Sequence, residues 1–228
     1  MQFGRDARLP LPALELIPDP SDNWSHGIDR FGEGVVARPV WEPPVTLAAG
    51  PCMASLLQLG TIGHSTLRAE WRVYADEPFI ELRLRVHWMA RQQIVKLVLP
   101  LPAAPDRTDG IPGAALRRAN DGRERPLRDW TLIATGAAAV GIVCPAVYAL
   151  DVTPQRARFT LLRSPVMTHH DPNPGNAPGA PVSDQGEHEF VFRFFAGPEV
   201  SERVLENCAH MMNHPLLTAD LTRGMPRR

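Results

Sequence analysis

Apolar and polar residues alternate almost without a break from residue 66 to residue 88. The polar positions carry Arg and Glu in 66–74, and Glu, Arg and His in 79–88. The alternating apolar residues are Leu67, Ala69, Trp71 and Val73 in the first run, and Ile80, Leu82, Leu84, Val86 and Trp88 in the second. A period of two predicts strands with one buried face, so Trp71 and Trp88 are expected in the core. The short polar segment 75–78, which contains Pro78, predicts a hairpin between the two strands.

The charges also predict the register of this hairpin. If Trp71 lies opposite Leu82, then Arg72 faces Glu81 and Glu70 faces Arg83, which gives opposite-charge pairs on the second face. A slip by one residue would place charged side chains on the apolar face. We therefore expect a single register.

Other short apolar runs predict further strands, and the tail predicts a helix. The expected strands are 13–17, 34–40, 94–99, 130–134, 140–143, 147–152, 157–163 and 188–195. In 200–212 the apolar residues recur at helical spacing. The sequence thus predicts a mainly β fold of two packed antiparallel sheets with a short helix near the C-terminus. The expected divisions are a proline-rich lead-in at 1–20, a β domain at 21–198 and a tail at 199–228.

Composition excludes several classes of function. The 228 residues include 24 prolines, which rules out a mostly helical bundle, and the formal net charge of −1 gives no attraction to nucleic acid or anionic membranes. The uncharged stretch 132–150 contains glycines and a proline, so it predicts buried strands instead of a membrane span. Three widely spaced cysteines give no disulfide framework, and residues 1–12 lack the apolar run expected of a signal peptide. We expect a cytoplasmic protein without nucleic-acid or membrane partners.

No familiar catalytic motif selects an active site. The sequence has no GxSxG nucleophile motif and no glycine-rich phosphate loop, and the histidines at 169, 170 and 188 show no HxxxH or HxH spacing. Two of the five tryptophans, Trp24 and Trp130, lie in polar stretches. They are candidates for a surface or interface role, with burial in the core as the open alternative.

A series of short motifs gives the sequence a recognisable order. The motifs lie at 21–27 (SDNWSHG), 85–88 (RVHW), 96–100 (KLVLP), 111–118 (IPGAALRR), 124–130 (ERPLRDW), 161–165 (LLRSP), 184–190 (DQGEHEF) and 213–216 (NHPL). In this order they resemble the C-terminal β domain of glycoside hydrolase family 38, the α-mannosidases. This sequence departs from the family pattern at Ala114, where the family has Gly, at Arg117, where the family has Glu, and across 144–151.

The resemblance implies a fold and a division of labour. The fold is the supersandwich of the galactose-mutarotase-like superfamily. In the family, the zinc ligands and the Asp nucleophile belong to a separate catalytic domain, which nothing in this sequence matches. We therefore expect no catalytic residue, cofactor or metal site in this chain, with zinc only in the catalytic domain, and no hydrolysis of α-mannosides by this chain alone.

Three functions remain open at this point. The first is completion of an α-mannosidase, with a separately encoded catalytic domain or a second copy of the chain as partner. The second is a stand-alone carbohydrate-binding or scaffold module, and the third is a mutarotase-like sugar enzyme using His188 with Glu187 or Asp184. The residues predicted to contact carbohydrate or a partner domain are Trp24, His26, Arg118, Trp130, Glu187 and His188.

Overall fold

The computed structural model describes residues 1–3, 7–19, 21–25, 27–32, 34–102, 106–135, 138–167 and 180–216. The strands are β1 (Gln2–Phe3), β2 (Ala7–Arg8), β3 (Ala13–Pro18), β4 (Val40–Trp41), β5 (Val45–Ala49), β6 (Met53–Ile62), β7 (Ser65–Tyr74), β8 (Ile80–Trp88), β9 (Gln93–Pro100), β10 (Arg107–Ile111), β11 (Ala114–Arg118), β12 (Arg125–Pro126), β13 (Trp130–Ala134), β14 (Ala139–Val143), β15 (Ala149–Thr153), β16 (Arg156–Arg163) and β17 (Gly186–Gly197). Helix α1 spans Glu202–Asn213.

Two large antiparallel sheets face each other across one core, and β1 and β2 pair separately as a two-stranded sheet. The larger sheet has ten strands in the order β11-β10-β13-β14-β17-β8-β7-β6-β4, with β5 also paired to β6, and the smaller has five in the order β12-β15-β16-β9-β3. The long strand β17 contributes Phe190, Phe192 and Phe194 to the core, and Phe192 contacts Phe159 of the smaller sheet edge to face. The predicted two-sheet, mainly β fold with one C-terminal helix is confirmed.

The predicted hairpin register is also confirmed. Strands β7 and β8 pair with Trp71 opposite Leu82, Arg72 opposite Glu81 and Glu70 opposite Arg83. Trp88 is fully buried, whereas Trp71 is only partly buried and packs against the core from the side. The alternation of charged and apolar residues within the two strands is therefore sufficient to predict their pairing.

Several elements differ from the sequence-based prediction. Of the segment 34–40, only Val40 belongs to a strand, and Ala37 makes an isolated bridge to Leu16. Strands β1, β2, β5, β6, β10, β11 and β12 were not predicted. The alternation is hidden in β10 because its inward-facing residues include charged Arg107 and Asp109, and β11 has no buried residue to mark it.

The expected lead-in is part of the domain. Strand β3 pairs with β9 along its whole length, and Leu14, Leu16 and Ile17 are buried. The described part of the tail, up to residue 216, is integrated as well, because α1 packs on β13 and β14 through Leu205, Cys208 and Ala209. Gly141 of β14 allows this close approach, since a Cβ atom there would lie 2.5 Å from Leu205 Cδ2. No helix among the described residues is long and apolar enough to cross a membrane.

Candidate functional site

Five of the six predicted site residues lie in the described part of the chain, and the structure does not bring these five together. Trp24 is 54% exposed in a turn that Asp22 stabilises by accepting hydrogen bonds from the backbone N–H groups of Trp24 and Ser25. Arg118 is mostly buried and forms an ion pair with Asp109. His26 lies outside the described residues. The predicted residues therefore do not form one site.

Trp130 is not a surface residue. It is only 4% exposed, because α1 covers it together with Phe79, Val143 and Phe195. The strand registers align Trp130 with Val143 and Val143 with Arg193, five residues beyond His188 on β17. At about 3.4 Å per residue, this separates Trp130 from His188 by roughly 17 Å along the strand direction. Arg118 and Trp130 thus belong to a different end of the sheet from His188.

Glu187 and His188 point to opposite faces of β17, as neighbours in a strand must. Glu187 Oε1 lies 2.8 Å from His87 Nδ1 on the outer face of the larger sheet. His188 lies on the core side, stacks on Phe190, and its Nε2 donates to the Asp184 carbonyl oxygen at 2.8 Å. These two residues therefore cannot form the acid–base pair expected for a mutarotase-like enzyme. The histidine that pairs with Glu187 is His87. The sequence pattern identified His87 only as an outward-facing residue of β8.

Arg163, at the end of β16, is the centre of a polar cluster that sequence reasoning missed. Its Nε donates to Asp19 Oδ2 at 2.6 Å, and its Nη2 donates to Asp19 Oδ1, Ser21 Oγ and the Asp22 carbonyl oxygen. The guanidinium carbon also lies 4.9 Å from the centre of the Phe31 ring. Arg163 thus holds the turn that carries Trp24 against the end of the smaller sheet.

The segment leading into β17 is tied to the same place. Asp184 Oδ2 accepts a hydrogen bond from the Arg163 backbone N–H at 3.4 Å, and the Ser183 hydroxyl donates to the Arg163 carbonyl oxygen. Ser164, which follows Arg163 in the sequence, accepts hydrogen bonds through its hydroxyl from Trp88 Nε1 and Gln185 Nε2. Three of the motifs that carry the family resemblance, at 21–27, 161–165 and 184–190, therefore converge here. We call Trp24, Arg163, Asp184 and His188 the Arg163 surface.

Backbone strain concentrates at this surface. Ser25, Gln92 and Asp184 have φ values of 52°, 50° and 59°, in the left-handed region. The Gln92 carbonyl oxygen accepts from the Asp19 N–H, and the Gln92 N–H donates to the Ser164 carbonyl oxygen, so Gln92 belongs to the same cluster. A non-glycine residue in this conformation costs about 1–2 kcal/mol. Strain of this kind is often retained where a surface has a function.

A second polar cluster lies on the outer face of the smaller sheet. Lys96, the only lysine of the chain, is fully buried and donates to Glu124 Oε2 at 2.5 Å and Asp151 Oδ2 at 2.6 Å. Arg158 Nε donates to the other oxygen of Asp151 at 2.7 Å, and its terminal nitrogens donate to the Phe31 and Gly32 carbonyl oxygens. All four charges are paired, two positive with two negative. This arrangement suits a structural role that fastens segment 31–32 to the sheet.

The outer face of the larger sheet carries a ladder of alternating charges. Glu70 accepts from Arg72 Nε at 2.6 Å, and Glu81 accepts from Arg83 Nε at 2.9 Å and Arg193 Nε at 3.0 Å. The hydrogen bond from Arg72 lowers the pKa of Glu70 below its usual value. Burial raises the pKa of Glu81, but the bonds from Arg83 and Arg193 outweigh it, so that pKa is also lowered. Among the described residues, no group of His, Cys, Asp and Glu side chains has the arrangement of a metal site.

Comparison with known proteins agrees with this architecture of two stacked antiparallel sheets and a C-terminal helix. Residues 10–174 match the family model of the glycosyl hydrolases family 38 C-terminal domain. The chain belongs to that family. No curated protein sequence matches it.

Two solved structures share the fold. An α-mannosidase from Enterococcus faecalis V583 superimposes with a TM-score of 0.71 at 11% sequence identity, over 90% of this chain and 28% of that chain. A glycosyl hydrolase family 38 protein from Enterococcus faecalis gives a TM-score of 0.70 at 10% identity, again over 90% of this chain and 28% of that one. The chain therefore spans little more than a quarter of the length of the solved structures it matches.

Proposed function

We propose that this chain acts as the C-terminal β domain of an α-mannosidase, and that mannoside hydrolysis requires a catalytic domain outside the 228 residues. The observation that carries the proposal is the family match over residues 10–174 combined with the small share of each solved relative that the chain covers. In those relatives most of the chain lies outside the matching domain. The β domain then supplies a docking surface, and the catalytic domain supplies the reacting groups.

The β5–β6 hairpin has the composition of such a docking surface. Residues 43–63 contain no Asp, Glu, Lys or Arg, whereas the neighbouring strands β7 and β8 carry charge at nearly every second position. Val45, Leu47, Leu56 and Leu59 are between 43% and 59% exposed. Leu56 and Leu59 lie three residues apart on β6 and point to opposite faces, so the exposed apolar side chains cover both faces of the hairpin. Clusters of exposed apolar side chains on a soluble protein mark interaction sites. We assign this hairpin to contact with the catalytic domain.

The hairpin edge favours contact through side chains. Pro43 and Pro44 precede β5, and the β5–β6 pairing is irregular between Thr46 and Ala48. Prolines and bulges at a sheet edge hinder the addition of another strand. A partner domain with an apolar surface is therefore a better fit than a partner that extends the sheet.

The test is reconstitution with the family 38 catalytic domain encoded in the same genome. The purified chain with zinc and an aryl α-mannoside should give no hydrolysis above a heat-denatured control. The two proteins together should co-elute and hydrolyse the substrate. Leu47→Glu should abolish co-elution, whereas Leu116→Glu, a leucine 44% exposed on β11 at the opposite edge, should not.

Three outcomes would contradict this proposal. Hydrolysis by the chain alone would show that it contains its own active site. Equal co-elution of both variants would remove the hairpin from the interface. A dimer of the chain by light scattering that Leu47→Glu dissociates would assign the hairpin to a second copy of the chain.

A carbohydrate-binding module is the second candidate, and the Arg163 surface favours it. The exposed Trp24 indole lies on a turn anchored by Arg163, and exposed aromatic rings combine an apolar face with a polar edge. Calorimetric titration with mannose and mannobiose separates the candidates. Binding without turnover that Trp24→Ala abolishes would support the module, and no binding would exclude it.

A further inference from the structure

Arg107 is a charged side chain enclosed between the two sheets. It begins β10 and lies opposite Ile133 of β13, whose side chain belongs to the main core. Only 2% of Arg107 is exposed. The β10–β11 register also places it directly opposite Arg118, so that two positive side chains share one face. Like charges in this position repel each other unless an anion lies between them.

One carboxylate serves both guanidinium groups. Asp109 Oδ2 accepts from Arg107 Nε at 3.0 Å and from Arg118 Nη1 at 3.3 Å, while Asp109 Oδ1 accepts from the Thr131 hydroxyl at 2.7 Å. The two terminal nitrogens of Arg107, Nη1 and Nη2, are buried and have no hydrogen-bond partner in the described part of the chain. Arg118 is shared between two acceptors, since its Nη1 also donates to the Pro126 carbonyl oxygen.

The local charge does not balance. Two guanidinium groups and the single buried carboxylate of Asp109 leave one positive charge. Two other acidic side chains nearby, Asp106 and Asp121, are exposed and pair with Arg117 and Arg125. A buried ion pair is favourable only when hydrogen bonds also satisfy the remaining donors, and Arg107 Nη1 and Nη2 have none among the described residues. The Lys96 cluster, by contrast, pairs two positive with two negative groups.

Burial disfavours the charged form of both members of the Arg107–Asp109 pair. Burial lowers the pKa of Arg107 by more than Asp109 raises it. Burial likewise raises the pKa of Asp109 despite two neighbouring arginines. Both groups are therefore under-stabilised in their charged forms.

We propose that the terminal nitrogens of Arg107 bind a small inorganic anion, which acts as a structural ligand between the two sheets. An anion supplies both the missing acceptor and the missing negative charge, whereas a water molecule supplies only the acceptor. The parallel N–H groups of a guanidinium suit a bidentate oxyanion, and chloride is the alternative source of the same charge. The terminal nitrogens of Arg107 lie outside the β5–β6 hairpin that we assign to docking of the catalytic domain.

The test is thermal unfolding of the whole chain at fixed ionic strength, with chloride or inorganic phosphate replacing a bulky organic buffer anion. Because a ligand that binds only the folded state stabilises it by mass action, Tm should rise with a saturating dependence. A hundredfold excess over Kd should raise it by about 5 °C or more. Whichever anion acts at the lower concentration is the preferred ligand.

Two variants separate binding from general salt effects. Arg107→Met removes the binding nitrogens and leaves Asp109 with Arg118 and Thr131, so the saturating rise should disappear. Arg117→Met is the matched control on the same hairpin, because Arg117 is 76% exposed and pairs with Asp106. It should respond as the unaltered chain does.

An equal response of the unaltered chain and Arg107→Met would overturn the proposal, as would the absence of any saturating response. If Arg107→Met does not fold, chloride NMR on the unaltered chain decides. Broadening of the chloride signal that phosphate reverses supports an anion site, and no broadening together with no phosphate effect on Tm refutes it.

Discussion

Arg163 and Asp19 form a two-point ion pair across 144 residues of sequence, with Arg163 Nε to Asp19 Oδ2 at 2.6 Å and Arg163 Nη2 to Asp19 Oδ1 at 3.3 Å. Asp19 is fully buried. This pair joins the end of β3 to the end of β16, two strands on either side of β9. The position of the Trp24 turn depends on it.

Arg163→Met should lower the free energy of unfolding by about 3 kcal/mol, because it leaves the buried Asp19 carboxylate without its charge partner. Adding Asp19→Leu should recover part of the loss, since no unpaired charge then remains. Chemical denaturation measures both. Arg30→Met is the control, because Arg30 pairs with Asp29 at the surface and should change stability by less than about 1 kcal/mol. A loss as small as that of the control would show that Asp19 is solvated.

Gly60→Ala should destabilise the protein by about 1–3 kcal/mol. A Cβ atom at this position would lie 2.6 Å from the Trp41 ring and 2.7 Å from the Val40 carbonyl oxygen, so β4 would have to move. Gly50→Ala, in the same hairpin, is the matched control because its nearest atom would lie at 3.6 Å. Thermal unfolding of the two variants should therefore differ, and equal Tm values would show that β4 yields without cost.

Glu81 should make stability depend on pH in the acid range. Its pKa is lowered in the folded state, so the stabilisation is present above the unfolded-state pKa of about 4.5 and is lost as the pH falls through the folded-state pKa. Glu81→Gln should flatten the fall in stability below about pH 4.5, whereas the exposed Glu199→Gln should not. Urea unfolding between about pH 3 and pH 7 measures the slope. The same slope in all three proteins would remove Glu81 from the acid transition.

One thiol should react in the native protein. Cys52 is exposed at the β5–β6 turn, whereas Cys144 and Cys208 are buried and burial raises the pKa of both. A raised pKa keeps a thiol protonated and unreactive at neutral pH. A thiol-specific reagent should therefore label one group per native chain and three after denaturation, and Cys52→Ser should abolish native labelling. Two fast-reacting groups would show that a buried cysteine is accessible.

The sequence by itself determined the strands with a regular pattern and the register of the β7–β8 hairpin. Alternation is a local property of the sequence. With Glu70 opposite Arg83 the apolar face is free of charge, whereas a register shifted by one residue would place charged side chains on it. Even there, the closest ion pairs were not those expected. Arg72 lies 4.0 Å from Glu81 across the strands but 2.6 Å from Glu70 on its own strand, because side-chain rotamers decide between neighbours that the register leaves equally near.

Only the tertiary structure decided the fate of the candidate site residues. Trp130 lies in a polar stretch, yet it is buried, because α1 from a distant part of the chain folds over β13. In the sequence, Arg163 is one residue of a short motif. Its role is seen only in the structure, where the ends of β3, β9 and β16 meet. For the same reason, the sequence does not indicate that the charged groups of Lys96 and Arg107 are buried. A sequence records the charge of each residue, but whether that charge is solvated, paired or enclosed depends on which strands the fold makes neighbours.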